Sequence, residues 1–255
     1  MSTKLSLFRG FLPISGGDGR HPARLGGPIR GVLLDMCNVL YDATLWRRWV
    51  LQLLTRLGLH TSYRSFFKIW DRDYLDAVHR GQREFCEAFE AFLASAGLSR
   101  AQIDEVEGAC QARRRILQEG ARPLPGVKTT LGRLHKSGFV LGAISNSESP
   151  ASVLQQQLGR FGLDRLFTTV ISSFDLKQTM PEEICYRTAL ESMNYPPAQV
   201  AFVDHDTAEL AGATAVGMPT VAFNFDADAR ADAYLDRFDD LLEVVGEPRP
   251  LAAAG

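Results

Sequence analysis

Three apolar runs in this chain end in polar side chains, and its capacity for chemistry is concentrated at those ends. The run 31–35 (GVLLD) closes on the carboxylate of Asp35, with Cys37 two residues on. The run 139–144 (FVLGAI) leads into Ser145 and Asn146, and the run 200–203 (VAFV) into Asp204, His205 and Asp206, with Glu209 beyond. Carboxylates, a hydroxyl, an amide, a thiol and an imidazole are groups from which ligand sites are built. The carboxyl ends of parallel strands are where open α/β sheets hold their ligands. Taken singly, these residues have plainer uses: Asp35 as a turn acid, Asp206 and Glu209 as the N-cap of a helix.

For these ends to meet, the runs have to be neighbouring strands. Two more runs, 168–172 (TTVIS) and 220–223 (TVAF), make five short apolar strands separated by helical segments. That alternation predicts a parallel sheet covered on both faces, a Rossmann-like α/β core. Thr179 and Glu182 have capping-box spacing, with Pro181 in the first turn; Asp206 and Glu209 repeat it, and their helix stops at Gly217 before Pro219. Residues 44–120 carry no strand pattern. Phe85, Phe89 and Phe92 share one helical face, and Ser99 with Gln102 opens a helix bearing Ile103, Val106 and Cys110. An all-helical insertion after the first strand is expected, with Trp46, Trp49, Phe66, Phe67 and Trp70 in its core and Arg113 to Arg115 on a solvated face. The chain therefore divides into a mobile tail over 1–29, a core over 30–43 and 121–246, a helical cap over 44–120, and a second tail over 247–255.

Composition bounds the function. With 255 residues, 45% of them hydrophobic and 23% charged, the chain has room for one core domain and a modest accessory one. A net charge of −2 supplies no positive field to hold nucleic acid or an anionic membrane. No stretch approaches the roughly 18 apolar residues of a membrane span. Arg9 and Gly10 break the first apolar run, so a signal peptide is not expected. Cys37, Cys86, Cys110 and Cys185 show no CxxC spacing, which fits reduced thiols in a cytoplasmic protein.

The motifs occur in a telling order: hhhhD-x-x-x-V-L-x-D, a helical insertion, hhhhSN, S-x-D-L-x-x-x-x-P-E-x-x-x-Y, then hhhD-x-D-x-x-E-x-x-G-A-x-x-x-G-M. From about residue 32 to 218 this resembles the haloacid-dehalogenase (HAD) superfamily of hydrolases, with four motifs each at a strand end. Asp35 to Asp42 (DMCNVLYD) is most similar to the branch reading D-x-G-N-V, which includes sugar-phosphate phosphatases and the phosphatase domain of epoxide hydrolases. The resemblance implies that Asp35 is a nucleophile that takes up a phosphoryl group, a carboxylate being suited to form a readily hydrolysed acyl phosphate. It implies that Ser145 and Asn146 hydrogen-bond the phosphoryl oxygens, and that Asp35 and Asp204 hold Mg²⁺.

Three departures fall on that chemistry. Cys37 stands where these phosphatases usually place an acid/base Asp, and a thiol suits neither proton transfer at neutral pH. Met180 stands where the family carries a Lys, with Lys177 three residues upstream. His205 replaces an acid that ligates the metal, although magnesium prefers oxygen ligands and imidazole suits softer metals. The expectation is a HAD-type protein with weak or lost phosphatase turnover, kept to bind a small phosphorylated metabolite or a protein partner. The alternative is an active phosphomonoesterase of altered mechanism, with His205 as base or as ligand of a softer metal. A dehalogenase of this family needs the same Lys and usually has Tyr at the position of Cys37.

Overall fold

The computed structural model describes residues 23–225 and 228–246, apart from the side chains of 63–65; the distal parts of both expected tails, 1–22 and 247–255, lie outside the described residues. Six strands form one parallel sheet: β1 (Gly31–Asp35), β2 (Val140–Ser145), β3 (Phe167–Ser172), β4 (Val200–Asp204), β5 (Thr220–Phe223) and β6 (Ala233–Leu235). Their order, β3-β2-β1-β4-β5-β6, reverses between β1 and β4. That reversal opens a crevice at the carboxyl edge of the sheet.

The central strands are buried on both sides, so they are continuously apolar. Successive side chains point to opposite faces. Val32 and Leu34 join one cluster with Leu131, Leu158 and Leu241, while Leu33 joins the other with Tyr186, Leu190 and Phe202. The first face is covered by α6 (Val127–Lys136), α7 (Ala151–Phe161) and α11 (Leu241–Val245), which carry those buried leucines. The second face is covered by α9 (Glu183–Met193) and α10 (Thr207–Val216). The short α8 (Ser173–Leu176) follows β3 directly.

Between β1 and β2 stand α1 (Leu45–Arg56), α2 (Tyr63–Trp70), a π-helical turn (Asp71–Leu75), α3 (Asp76–His79), α4 (Phe85–Ser95) and α5 (Arg100–Gly120). This is the expected helical insertion, and it has its own aromatic core. Trp70 is fully buried, with Phe85 and Phe89 edge-on at ring-centroid distances of 5.5 Å. Edge-to-face pairs of this kind add about 0.5–1.5 kcal/mol each beyond area burial. Ser99 and Gln102 close the capping box that starts α5. The insertion is bonded to loops that leave β2 and β3: Thr179 Oγ1 donates to Asp76 (2.7 Å), Arg80 to Gln178 (2.6 Å) and Ser173 Oγ to the His79 carbonyl (2.8 Å), while Arg114 pairs with Glu148. The helices therefore sit over the carboxyl edge of the sheet.

Four expectations change, the first being that Arg114 lies on no solvated face: it is half-buried, pairs with Glu148 and stacks on Phe85, 3.6 Å from the ring centroid. Residues 179–182 form no capping box: they make a turn around a cis Met180–Pro181 peptide, and α9 begins only at Glu183. The Thr179 hydroxyl is committed to Asp76 across the cap contact instead. Leu25 and Ile29, assigned to the mobile tail, are buried in the core, and the Leu25 N–H donates to the Val244 carbonyl (3.0 Å). β6 extends the sheet beyond the five expected strands. Among the described residues no helix is long and apolar enough to cross a membrane.

The cap contact is pH-sensitive through His79. Burial, then the nearby Arg47 cation, pushes the imidazole down to about 4. The unfolded chain, titrating near 6.5, takes up a proton that the folded one refuses, so this stabilisation is whole above about pH 6.5 and lost as pH falls toward 4. Between pH 7 and 5 the loss should reach about 2 kcal/mol, and His79→Gln should lessen it. Urea unfolding of both proteins at the two pH values measures this; an unchanged pH slope in the variant would exclude His79 as the group responsible.

Candidate active site

β1 pairs in register with β2, Asp35 opposite Ile144, so Ser145 lies one residue beyond the Asp35 row; on the other side Leu34 pairs with Val203, which brings Asp204 to the same edge. Asp35, Ser145 and Asp204 are all buried there, Asp35 being 3% exposed. Past Asp35 the chain keeps contact with β2 through Met36 N–H to the Ile144 carbonyl (3.1 Å), then turns back with Asn38 in the left-handed region (φ 59°). Asn tolerates that region better than most residues. The turn places the Cys37 Sγ 3.5 Å from the Tyr41 hydroxyl and 3.8 Å from Ser145 Oγ. Burial, then the charge of Asp35, pushes the thiol up to about 11, so Cys37 stays a neutral thiol and a poor general base.

Asn146 is committed elsewhere than to a ligand. Its amide NH2 donates to the Met180 carbonyl (3.1 Å) and to Glu209 (2.8 Å), and its Oδ1 accepts from Met180 N–H (2.9 Å). It ties three loops together, where the resemblance implied a phosphoryl contact. Met180 is buried. Lys177 does not replace the missing cation: it is exposed, and its ammonium lies 4.2 Å from the Phe174 ring centroid.

At the end of β4, Asp206 caps α10, its Oδ1 accepting from Ala208 N–H (2.8 Å) and Glu209 N–H (3.0 Å). Glu209 does not complete the capping box, because its side chain meets Asn146. Burial, then Asp204, Asp35 and Asp206, pushes Glu209 well above the usual carboxylate range. Asp204 Oδ2 is buried and has no hydrogen-bond partner among the described residues.

His205 lies between the two strand-end acids. Its Nδ1 is 3.0 Å from Asp204 Oδ1 and 3.8 Å from Asp35 Oδ2, and its Nε2 is 3.1 Å from Asn38 Nδ2. Burial alone would lower the imidazole; the hydrogen bond and charge of Asp204, then Asp35 and Asp206, outweigh it and raise His205 to about 9. The Asn38 amide acts in the opposite sense: its Oδ1 accepts from Ala43 N–H (3.1 Å), which turns its NH2 toward Nε2 and favours an unprotonated nitrogen there. In both charge states Nδ1 carries a proton, because Asp204 Oδ1 can only accept.

Asp35, Asp204 and His205 offer ligand atoms within 4.8 Å of one another, so the two acids named as metal ligands do converge. The donor set nevertheless does not fit magnesium. That ion wants near-octahedral oxygens, whereas here one donor is a ring nitrogen engaged with Asp204.

Residues 29–217 match the family model of the haloacid dehalogenase-like hydrolases, and the chain belongs to that family. It is 28% identical over 140 residues to a phosphoglycolate phosphatase of Salmonella paratyphi A, a match covering 52% of this chain and 55% of that one. It is 31% identical over 100 residues to (S)-2-haloacid dehalogenase 4A of Burkholderia cepacia, covering 39% and 42%. The chain thus spans about half the length of these curated relatives. Its fold is shared with a solved dehalogenase structure, at a TM-score of 0.64 and 20% identity over 86% of this chain and 98% of that one.

Burial, then Asp204, raises Asp35 well above the ordinary carboxylate range, with His205 opposing. A group raised in the fold contributes stability that is whole below about pH 4 and lost as pH rises through its folded value. Asp35→Asn keeps the shape and removes the charge. It should stabilise the protein at pH 7 by about 1 kcal/mol or more, with the gain shrinking as pH falls toward 4. Denaturant unfolding across that range checks this; a variant less stable than wild type at pH 7 would contradict it.

Proposed function

We propose that this hydrolase-family chain turns over phosphate monoesters weakly or not at all, and that the crevice between helical cap and sheet serves to bind a small metabolite or a protein partner. The observation that carries the reading is the His205 ring between Asp204 (3.0 Å) and Asp35 (3.8 Å), where the resemblance implies a divalent cation. A phosphate dianion entering there meets buried carboxylates. Each like-charge contact at about 4 Å costs about 4 kcal/mol at an effective dielectric of 20. The answering charge there is the His205 imidazole, which is already bonded to Asp204; Met180 supplies no second cation, Lys177 sits on Phe174, and Cys37 is held as a thiol.

A second reading has one specific observation in its favour. Asp35 keeps its place at the end of β1, and the His205 Nδ1–H reaches toward it at 3.8 Å. In an active hydrolase of altered mechanism the Asp35 carboxylate attacks phosphorus, the P–O bond to the alcohol breaks and the alcohol leaves with a proton from water; a second water then hydrolyses the acyl phosphate, releasing phosphate and restoring Asp35. His205 supports the developing charge without a metal.

Assays on p-nitrophenyl phosphate, phosphoglycolate, small sugar phosphates and a 2-haloacid separate the two. Turnover near background is expected for the wild type. The combined variant Cys37→Asp, Met180→Lys, His205→Asp should raise phosphatase activity by about 10²-fold or more, since general acid/base catalysis alone contributes about that much. Each single change should do far less, because residues acting as a unit are strongly non-additive. Wild-type turnover abolished by Asp35→Asn would establish the second reading instead. Turnover surviving Asp35→Asn would remove Asp35 as nucleophile from both.

A further inference from the structure

The imidazole at the crevice is gripped from both sides, and the grip on its far side belongs to a residue that the motif chemistry leaves unassigned. Asn38 is itself immobilised at several points. Its backbone is left-handed, its N–H donates to the Tyr41 carbonyl (2.8 Å), and its carbonyl accepts from Asn224 Nδ2 (3.1 Å). Its side-chain Oδ1 accepts from Ala43 N–H (3.1 Å), leaving the amide nitrogen on His205 Nε2 at 3.1 Å. The turn after β1 therefore reaches across the switch point to a side chain at the end of β4.

We propose that Asn38 is a positioning residue that holds the His205 imidazole in the cation's place, with Nδ1–H turned toward Asp204 and Asp35. The His205 side chain is 29% exposed, so it has an alternative open to it in solvent. Asp204 alone bonds one ring nitrogen and leaves the ring free to pivot about that contact. A second contact on Nε2 fixes both the ring plane and its depth in the crevice. A half-buried side chain is thereby kept over a buried nucleophile position, and the space between Asp35 and Asp204 stays filled by a hydrogen-bond donor. This rests on the reading of His205 as the cation's replacement. Its test reads the ring directly, so it can fail while the turnover result stands, and the reverse.

The experiment is ¹⁵N-edited NMR of the histidine imidazoles in the full chain, with the His205 signals assigned by their loss in His205→Gln. The wild type should show a His205 Nδ1–H protected from exchange with water. Asn38→Gly keeps the left-handed backbone and removes only the side chain. It should speed that exchange roughly fivefold or more, as expected for the loss of one hydrogen bond on the ring. Asn38→Asp, which also tolerates that backbone and again offers the ring a partner, should restore protection. Amide spectra that superimpose away from the crevice show that the variants remain folded. If Asn38→Gly folds and leaves the exchange rate unchanged, or if Asn38→Asp fails to restore it, Asn38 does not position the ring.

Discussion

The rest of the site depends on an electrostatic constraint: Asp35, Asp204 and Glu209 crowd one buried edge of the sheet, and their charges have to be answered without a lysine. Burial of an ionised carboxylate is costly unless it is paired or protonated. His205 donates to Asp204, while burial and the neighbouring acids push Glu209 toward its neutral form. Asn146 then donates to Glu209 and holds the Met180 segment through its remaining bonds. Asn146 and Asp204, to which the resemblance assigns phosphoryl and metal contacts, are here hydrogen-bonded within the protein.

That arrangement is a consequence of topology as much as of side-chain choice. The strand order reverses between β1 and β4, so the acids at their ends face each other across the crevice, and the loop after β2 brings Asn146 between them. The helical insertion closes over the same edge, because Asp76, His79, Arg80 and Arg114 all bond to loops that leave β2 and β3. The cap contact and the candidate site therefore share a segment: Thr179 is bonded to the cap while its neighbour Met180 is bonded to Asn146. Through Asn146 that segment also connects the cap contact to the buried Glu209.

Much of this was legible in the residues. Strands β1 and β5 have the bounds that their apolar runs suggest, because strands buried on both faces advertise themselves as unbroken apolar stretches. The meeting of Asp35, Ser145 and Asp204 followed from polar residues at strand ends. What escaped did so for local reasons. β6 is three residues long and partly polar in its surroundings, too short to show a period. Leu25 and Ile29 are two isolated apolar residues amid Gly and Pro, and only the tertiary structure reveals their burial. Spacing alone could not distinguish the real cap at Asp206 from the apparent one at Thr179, since each hydroxyl or carboxylate goes to whichever partner the fold offers. Asn38 was given no role, although it stands at the Asn of the D-x-G-N-V pattern; its other signal was an Asn in the short turn after a strand-end acid, a position that favours left-handed backbone.

The central claim is that the His205 imidazole stands where a cation would otherwise be held. Isothermal calorimetry with Mg²⁺ on the wild type and on His205→Asp tests it most directly. The account predicts no saturable heat for the wild type up to about millimolar Mg²⁺, and a new one-site isotherm in His205→Asp, where an oxygen ligand replaces the ring nitrogen. Saturable Mg²⁺ binding by the wild type that disappears in Asp204→Asn would contradict it.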